Sequence, residues 1–258
     1  MRDEVVDTFT GDDLDRARWL PAYLPAWASR AENAARDRLT GDGLVLEVPP
    51  DQGLWCRDTH QPPLRTSTIA SADWSGPLGS ERGPQPFRPG LRVREEQPRF
   101  VGWLVDGGYV EIRCRMSLTH RSMAALWLAG WDEDPHDSGE LCVVEVFGSA
   151  AEPGRSAEVG MGIKALRDPR LRDDVAAPRL PIDVADWHTY RVDWDDAEAR
   201  FAVDGVTLRT CPRPPRYPLV LMIGVFDFPD GTETTHTPAL EISRVAGTAT
   251  REGQGRTA

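Results

Sequence analysis

No stretch of the chain reaches the ~18 consecutive apolar residues that would cross a bilayer, so no membrane partner is expected. No basic start leads into an apolar run, and with no leader legible the expectation is a cytoplasmic protein, the alternative being a secreted one whose leader was removed. Cysteine is scarce. Cys56, Cys114, Cys142 and Cys211 allow three full pairings, among which spacing does not choose, and reduced thiols are the expectation. None of them forms a CxxC pair or a Cys/His cluster at zinc spacing, so neither a metal nor a cofactor is expected. Positive charge is also in deficit: the net charge is −11 and the pI about 5.0. A nucleic-acid reader carries a basic face, so nucleic acid is not an expected partner. A neutral ligand would feel little of this field, and the acidity serves solubility in any case.

What the chain has in quantity is turns and strands. Its 258 residues include 23 glycines and 22 prolines, which suits many turns rather than long helices. Runs rich in β-branched and aromatic residues lie at 43–48, 108–118, 122–129, 188–194, 199–205, 218–228 and 239–245, each bounded by turn residues. Asp204-Gly205 reads as a hairpin turn. The only helical suggestion is weak, around Ala31 to Leu39. Strands without alternating helices predict an antiparallel β-sandwich with less than about a tenth helix, rather than a βαβ fold.

A sandwich of this length needs no disulfide or metal to supply its core. There is no internal repeat and no second domain. The expected organisation is one domain over residues 1–246, acting as a monomer, and a disordered tail over 247–258. Segments 75–99 and 148–181, rich in Gly, Pro and Arg, read as long loops or decorated edges.

The most informative run is Ser138-Gly139-Glu140-Leu141-Cys142-Val143-Val144-Glu145-Val146-Phe147-Gly148. Residues i, i+2 and i+4 of a strand share a face, so strict alternation aligns Glu140, Cys142 and Val144 and turns Glu145 away. One bulge residue at 143–144 returns Glu145 to the side of Glu140. Two carboxylates on one face of an apolar strand suit a glycosidase of the retaining kind. One attacks the sugar and the other protonates the leaving oxygen, across about 5–5.5 Å. An exposed strand bearing two solvated glutamates would read the same way.

The surroundings resemble glycoside hydrolase family 16, whose active-site strand runs Glu-x-Asp-x-x-Glu. The approach from Trp131 through Pro135 to Gly139-Glu140 is similar to its laminarinase-type members. Gly108-Tyr109-Val110-Glu111-Ile112-Arg113 and Ala125-Leu126-Trp127-Leu128-Ala129-Gly130 resemble two further family strands. So do Asp186-Trp187-His188-Thr189-Tyr190 with Val192 and Trp194, and Phe201-Ala202-Val203-Asp204-Gly205. Near the start, Phe9, Leu14-Asp15 and Trp19 match the opening pattern, so the likeness spans about residues 5–245 in order.

The resemblance implies a concanavalin A-like jelly roll of two curved antiparallel sheets with a glycan cleft. It also implies retaining, endo-acting cleavage or transfer of β-linked glucans or galactans, with Glu140 as nucleophile and Glu145 as acid/base. Glu111 and Arg113 become sugar ligands on this reading, a structural ion pair being the alternative, and His188 a neighbour of the acid/base or a strand cap. Some members hold calcium through an aspartate in the final strand, where Ser243 stands here, so no calcium is expected.

The departure is Cys142, where the family pattern has the aspartate that supports the nucleophile. A thiol is a weak donor and mostly uncharged at neutral pH. The alternative reading is therefore a non-hydrolytic carbohydrate-binding protein on the same fold. On the catalytic reading, Cys142→Asp is expected to raise turnover, and Cys142 to be a free thiol reachable from the cleft. Sugars stack apolar faces on aromatic rings, and there are nine tryptophans. Trp127 and Trp131 are the best cleft candidates, Trp55, Trp74 and Trp103 are candidates for its rim, and Trp19, Trp187 and Trp194 read as core. Cys114, of the same parity as Val110 and Ile112, reads as a core thiol.

Overall fold

The computed structural model describes residues 3–131, 133–232 and 235–250. Period-two alternation sorts its longer strands into two antiparallel sheets packed face to face, beside a three-stranded sheet of Ala151–Glu152, Ser156–Glu158 and Arg179–Leu180 and a two-stranded one of Ala72–Asp73 and Phe100–Val101. The eight-stranded sheet runs Val206–Pro212, Glu198–Val203, His188–Trp194, Gly108–Ser117, Ala239–Ala249, Gly43–Glu47, Asp37–Thr40, with Asp3–Asp7 also pairing on Ala239–Ala249. The six-stranded sheet runs Asp174–Ala176, Gly160–Lys164, Glu140–Phe147, Ser122–Gly130, Leu219–Asp227, Arg65–Ala70. This is the all-β jelly roll the pattern predicts. Among the described residues helix is confined to two 3₁₀ turns, at Pro25–Trp27 and Gly148–Ala150. Among the described residues no helix is long and apolar enough to cross a membrane, and no cluster of His, Cys, Asp and Glu is placed to hold a metal ion.

The main core lies between the sheets. Val110, Ile112, Cys114 and Met116 of one meet Leu126, Leu128, Leu141 and Ile223 of the other. Each such side chain, fully buried, contributes roughly 1.5–3 kcal/mol. A second apolar cluster sits on the opposite face of the six-stranded sheet. There Trp27, Trp55, Trp74, Trp127, Trp131, Met222 and Phe226 join side chains from the irregular segments before residue 105. Backbone bridges Leu20–Ala70 and Ala22–Ala34 tie the first of these segments down. Trp27 Nε1 donates to Pro84 O at 2.8 Å, and Arg94 N to Ala26 O at 2.7 Å, which pins the 75–99 loop over the same face.

Three expectations are corrected. Residues 31–39 form no helix; the polypeptide turns and enters the strand Asp37–Thr40. The 148–181 segment is not loop alone but carries the strands Ala151–Glu152, Ser156–Glu158, Gly160–Lys164, Asp174–Ala176 and Arg179–Leu180. Its run Gly160–Lys164 pairs directly with Glu140–Phe147, because Met161 and Ile163 alternate into the core. Gly247 to Ala249 belong to the strand Ala239–Ala249 rather than to a tail. Their backbone pairs with Asp3–Val5, and Ala249 is buried. Residues 251–258 of that expected tail lie outside the described residues.

Candidate active site

Glu140–Phe147 carries its extra residue where the sequence needs one. Against Ser122–Gly130, Trp127 lies opposite Cys142 and Leu126 opposite Val144, leaving Val143 unpaired. Against Gly160–Lys164 the same insertion falls between Cys142, opposite Gly162, and Glu145, opposite Gly160. Val143 and Val144 both enter the core, and beyond them the alternation restarts. Glu140, Cys142 and Glu145 consequently line one cavity of about 400 Å³, open on the outer face of the six-stranded sheet.

Aromatic rings wall that cavity: Tyr23, Trp55, Phe87, Trp127, Phe226 and Phe228. Tyr23 and Phe87 each lie 4.8 Å from Trp55, centroid to centroid. Polar groups are few and grouped. Lys164 Nζ stands 3.2 Å from Glu145 Oε2 and 3.9 Å from Glu140 Oε2. Gln85, on the 75–99 loop with a left-handed φ of 45°, donates its amide to Glu140 Oε1 at 2.5 Å. Burial opposes the charge on Lys164, but the carboxylates beside it, Glu145 foremost and then Glu140, outweigh that and hold the ammonium above the usual lysine range.

Cys142 lines the cavity, with its thiol hydrogen-bonded to the backbone of the neighbouring strand. Its Sγ donates to Gly160 O at 3.6 Å, and the residue is 1% exposed. Burial, then the charge of Glu145, pushes its thiol up to about 12, so it stays protonated and inert at neutral pH. The expectation of a reachable cleft thiol is corrected accordingly. All four cysteines are free and buried.

The family model of glycosyl hydrolases family 16 matches residues 105–236, just over half of the chain. The chain belongs to glycosyl hydrolase family 16. The match contains the whole glutamate strand and its partners in the six-stranded sheet except Arg65–Ala70.

Solved structures share the family 16 fold across nearly all of the chain. A GlcNAcα1-4Gal-releasing endo-β-galactosidase from Clostridium perfringens superposes with a TM-score of 0.75 at 21% identity, over 97% of this chain. This chain spans 63% of that longer one. The laminarinase catalytic domain from Thermotoga maritima gives 0.61 at 15% identity, covering 95% of this chain and 97% of that one. A Bacillus licheniformis β-glucanase gives 0.60 at 12%, covering 96% and 98%. No curated protein sequence matches the chain.

Within this family 16 fold, five of the sequence-derived ligands lie elsewhere. Glu111 and Arg113 stand on the outer face of the eight-stranded sheet, the sheet that does not carry the cavity. Glu111 pairs there with Arg244 at 2.5 Å and Arg191 at 3.3 Å. Arg113 donates to Ser243 Oγ at 2.9 Å. His188 belongs to the same sheet, its ring nitrogens 2.7 Å from Asp204 Oδ2 and 2.9 Å from Asp183 O. Trp103 is buried in the inter-sheet core, edge-on to Trp19 at 6.1 Å. Trp131 packs beside Trp74 under the Arg99 guanidinium, 5% exposed and outside the cavity lining.

Trp127 does line the cavity, and so does Trp55. Trp74 borders a neighbouring cavity with Arg82 and Pro86 instead. Trp19 and Trp194 are core, as expected, whereas Trp187 is half-buried on the outer face, stacked by Arg113 and Arg115 at 4.9 Å each. The sequence reading missed Lys164, Gln85, Tyr23 and Phe87. The apolar alternation of Met161 and Ile163 was a legible signal for Lys164; nothing local marked Gln85 beyond its long loop.

Proposed function

We propose that the chain is a retaining, endo-acting glycosidase of β-linked glucans or galactans, with Glu140 as nucleophile and Glu145 as acid/base. The observation that supports it is the bulge at Val143, which sets two carboxylates around one ammonium in an aromatic-walled cavity. Two carboxyl groups that share one counterion are within reach of the ~5–5.5 Å spacing of retaining enzymes. The Glu145 side chain is 24% exposed and that of Glu140 12%, which suits Glu145 to the group that must meet water.

The steps balance as follows. Glu140 forms a bond to the anomeric carbon as the glycosidic bond breaks, and Glu145 gives its proton to the departing oxygen. Water then adds to the anomeric carbon, Glu145 takes its proton, and the ester to Glu140 opens. A sugar hydroxyl in place of water gives transglycosylation. The ligand is a neutral β-linked oligosaccharide or polysaccharide stacked on Trp55 and Trp127, and the chain acts as a monomer. Four unpaired, buried thiols support a reducing, cytoplasmic setting.

The decisive measurement is release of reducing ends from β-1,3-, β-1,4-, mixed-linkage and galactan polymers. Glu140→Gln is expected to abolish release. Glu145→Gln is expected to slow it at least ~10²-fold while sparing aryl glycosides whose leaving group needs no proton. Cleavage undiminished by Glu140→Gln would refute the nucleophile. The second reading, glycan binding without cleavage, has in its favour that Gln85 already occupies Glu140 Oε1. Binding to a polymer that is never cut would select it.

A further inference from the structure

Lys164 is the single lysine among 30 basic residues, arginine filling every other basic position. That lone ammonium stands between the two glutamates of the cavity, 3.2 Å from one and 3.9 Å from the other. The two side chains are not interchangeable. A guanidinium is a rigid planar fork that engages one carboxylate bidentately, whereas an ammonium is a compact charge with three donors on a flexible stem. Only the latter can lean from one carboxylate to the other without leaving its place.

The backbone is shaped to admit it. Lys164 shares strand parity with Gly160 and Gly162, so the strand beside the glutamates presents two hydrogens and then one long cation to the cavity. A Cβ at Gly162 would sit 2.1 Å from Asp174 O, so this floor cannot carry another side chain there. Cys142, the residue between the glutamates that faces the cavity, donates to Gly160 O. The amide of Gln85 holds Glu140 Oε1, leaving Oε2 as the oxygen on the side of Lys164.

Resting on the glycosidase reading above, we propose that Lys164 is a positioning residue: a mobile counterion shared by Glu140 and Glu145 that follows the negative charge between them. Before attack the charge is on Glu140 and the proton on Glu145. Once the glycosyl ester forms, Glu140 is neutral and Glu145 carries the charge. The ammonium balances one carboxylate in both states, so the site never holds an unpaired buried charge, which would be costly. The other titratable groups around the cavity are Cys142, whose thiol stays protonated, Tyr23, whose hydroxyl burial and Glu140 push up, His60 and Arg167.

A lone lysine makes the test direct, since protein labelled with ¹⁵N-lysine gives one Nζ signal. Its titration is to be followed in the intact chain and in Glu145→Gln and Glu140→Gln. The midpoint is expected to fall by about 1 pH unit in Glu145→Gln and by less in Glu140→Gln, in the order of the two distances. A midpoint that neither substitution moves overturns the pairing, whether or not the protein cleaves glycans. On the substrate that wild type cleaves, Lys164→Met is expected to lower kcat roughly 10²-fold with a smaller change in KM and to move the alkaline limb of the pH profile upward. Lys164→Arg, which restores charge without mobility, is expected to recover less than half of that loss. Full recovery by arginine, or an unmoved alkaline limb in Lys164→Met, overturns the shared-counterion role. Failure of the glycosidase reading shows separately, as wild type that cleaves no polymer while its Nζ signal still answers to both glutamine substitutions.

Discussion

Cys142 shows how one side chain's direction changes what a substitution should do. With its sulfur donating to Gly160 O, a carboxylate placed there would lose a donor, face a carbonyl oxygen and join two glutamates in a buried site. Cys142→Asp is therefore expected to destabilise the fold by ~1–3 kcal/mol and to gain no turnover, against the expectation drawn from the family pattern. Thermal melts and the reducing-end assay read both outcomes. Asp73 is the second residue of this kind. It is 3% exposed and its Oδ2 has no partner; burial raises its carboxyl to about 7, against the pull of the Trp74 backbone N–H and Arg30. The folded state holds this proton more tightly than the unfolded chain does. Stability is therefore retained at acid pH and lost as pH rises from about 4 through about 7. Asp73→Asn is expected to melt above wild type by a margin that grows from pH 4 to pH 8, toward an upper limit of ~4 kcal/mol. A margin that does not change with pH would exclude Asp73 as the cause.

At the scale of elements, the glutamate strand was legible because its two carboxylates fit no unbroken alternation, and a bulge was the smallest repair. Deleting Val143 should remove the bulge and turn Glu145 into the core between Leu126 and Met161, or else turn Glu140 and Cys142 inward. Either way, glycan binding measured by calorimetry is expected to disappear, along with at least ~2–3 kcal/mol of stability. Glu111 and Arg113 show where alternation stops informing. It separates core-facing from outward-facing residues, and it assigned Val110, Ile112 and Cys114 correctly to the core. It cannot say which of two sheets a strand joins, and the outer face of either sheet looks the same in sequence. The strand Gly160–Lys164 failed for the opposite reason. Its cavity-facing positions are mostly glycine, which reads as loop although the glycines are there because strand neighbours approach too closely for a Cβ. His188 was placed by the family resemblance and Trp103 by its loop; the first lies on the other sheet and the second in the inter-sheet core.

For the whole molecule, the architecture was legible because strand patterns spread over most of the chain agree with one another, whereas the cavity is assembled from segments with no pattern at all. The irregular stretches before residue 105 bring Tyr23, Trp55, Gln85 and Phe87 to the glutamates, and their places follow from tertiary packing alone. The order of the eight-stranded sheet has a consequence for how the chain is made. Ala239–Ala249, the latest of the described strands to be synthesised, is an interior one, lying between Gly108–Ser117 and Gly43–Glu47 and pairing also with Asp3–Asp7. Until it emerges from the ribosome, two long hydrophobic strand edges stay unpaired and the earliest residues of the sheet have nothing to dock on. Such edges are where nascent chains stick to one another. The hazard in the life of this protein therefore falls in the seconds before Ala239–Ala249 appears, and chaperone cover matters most then.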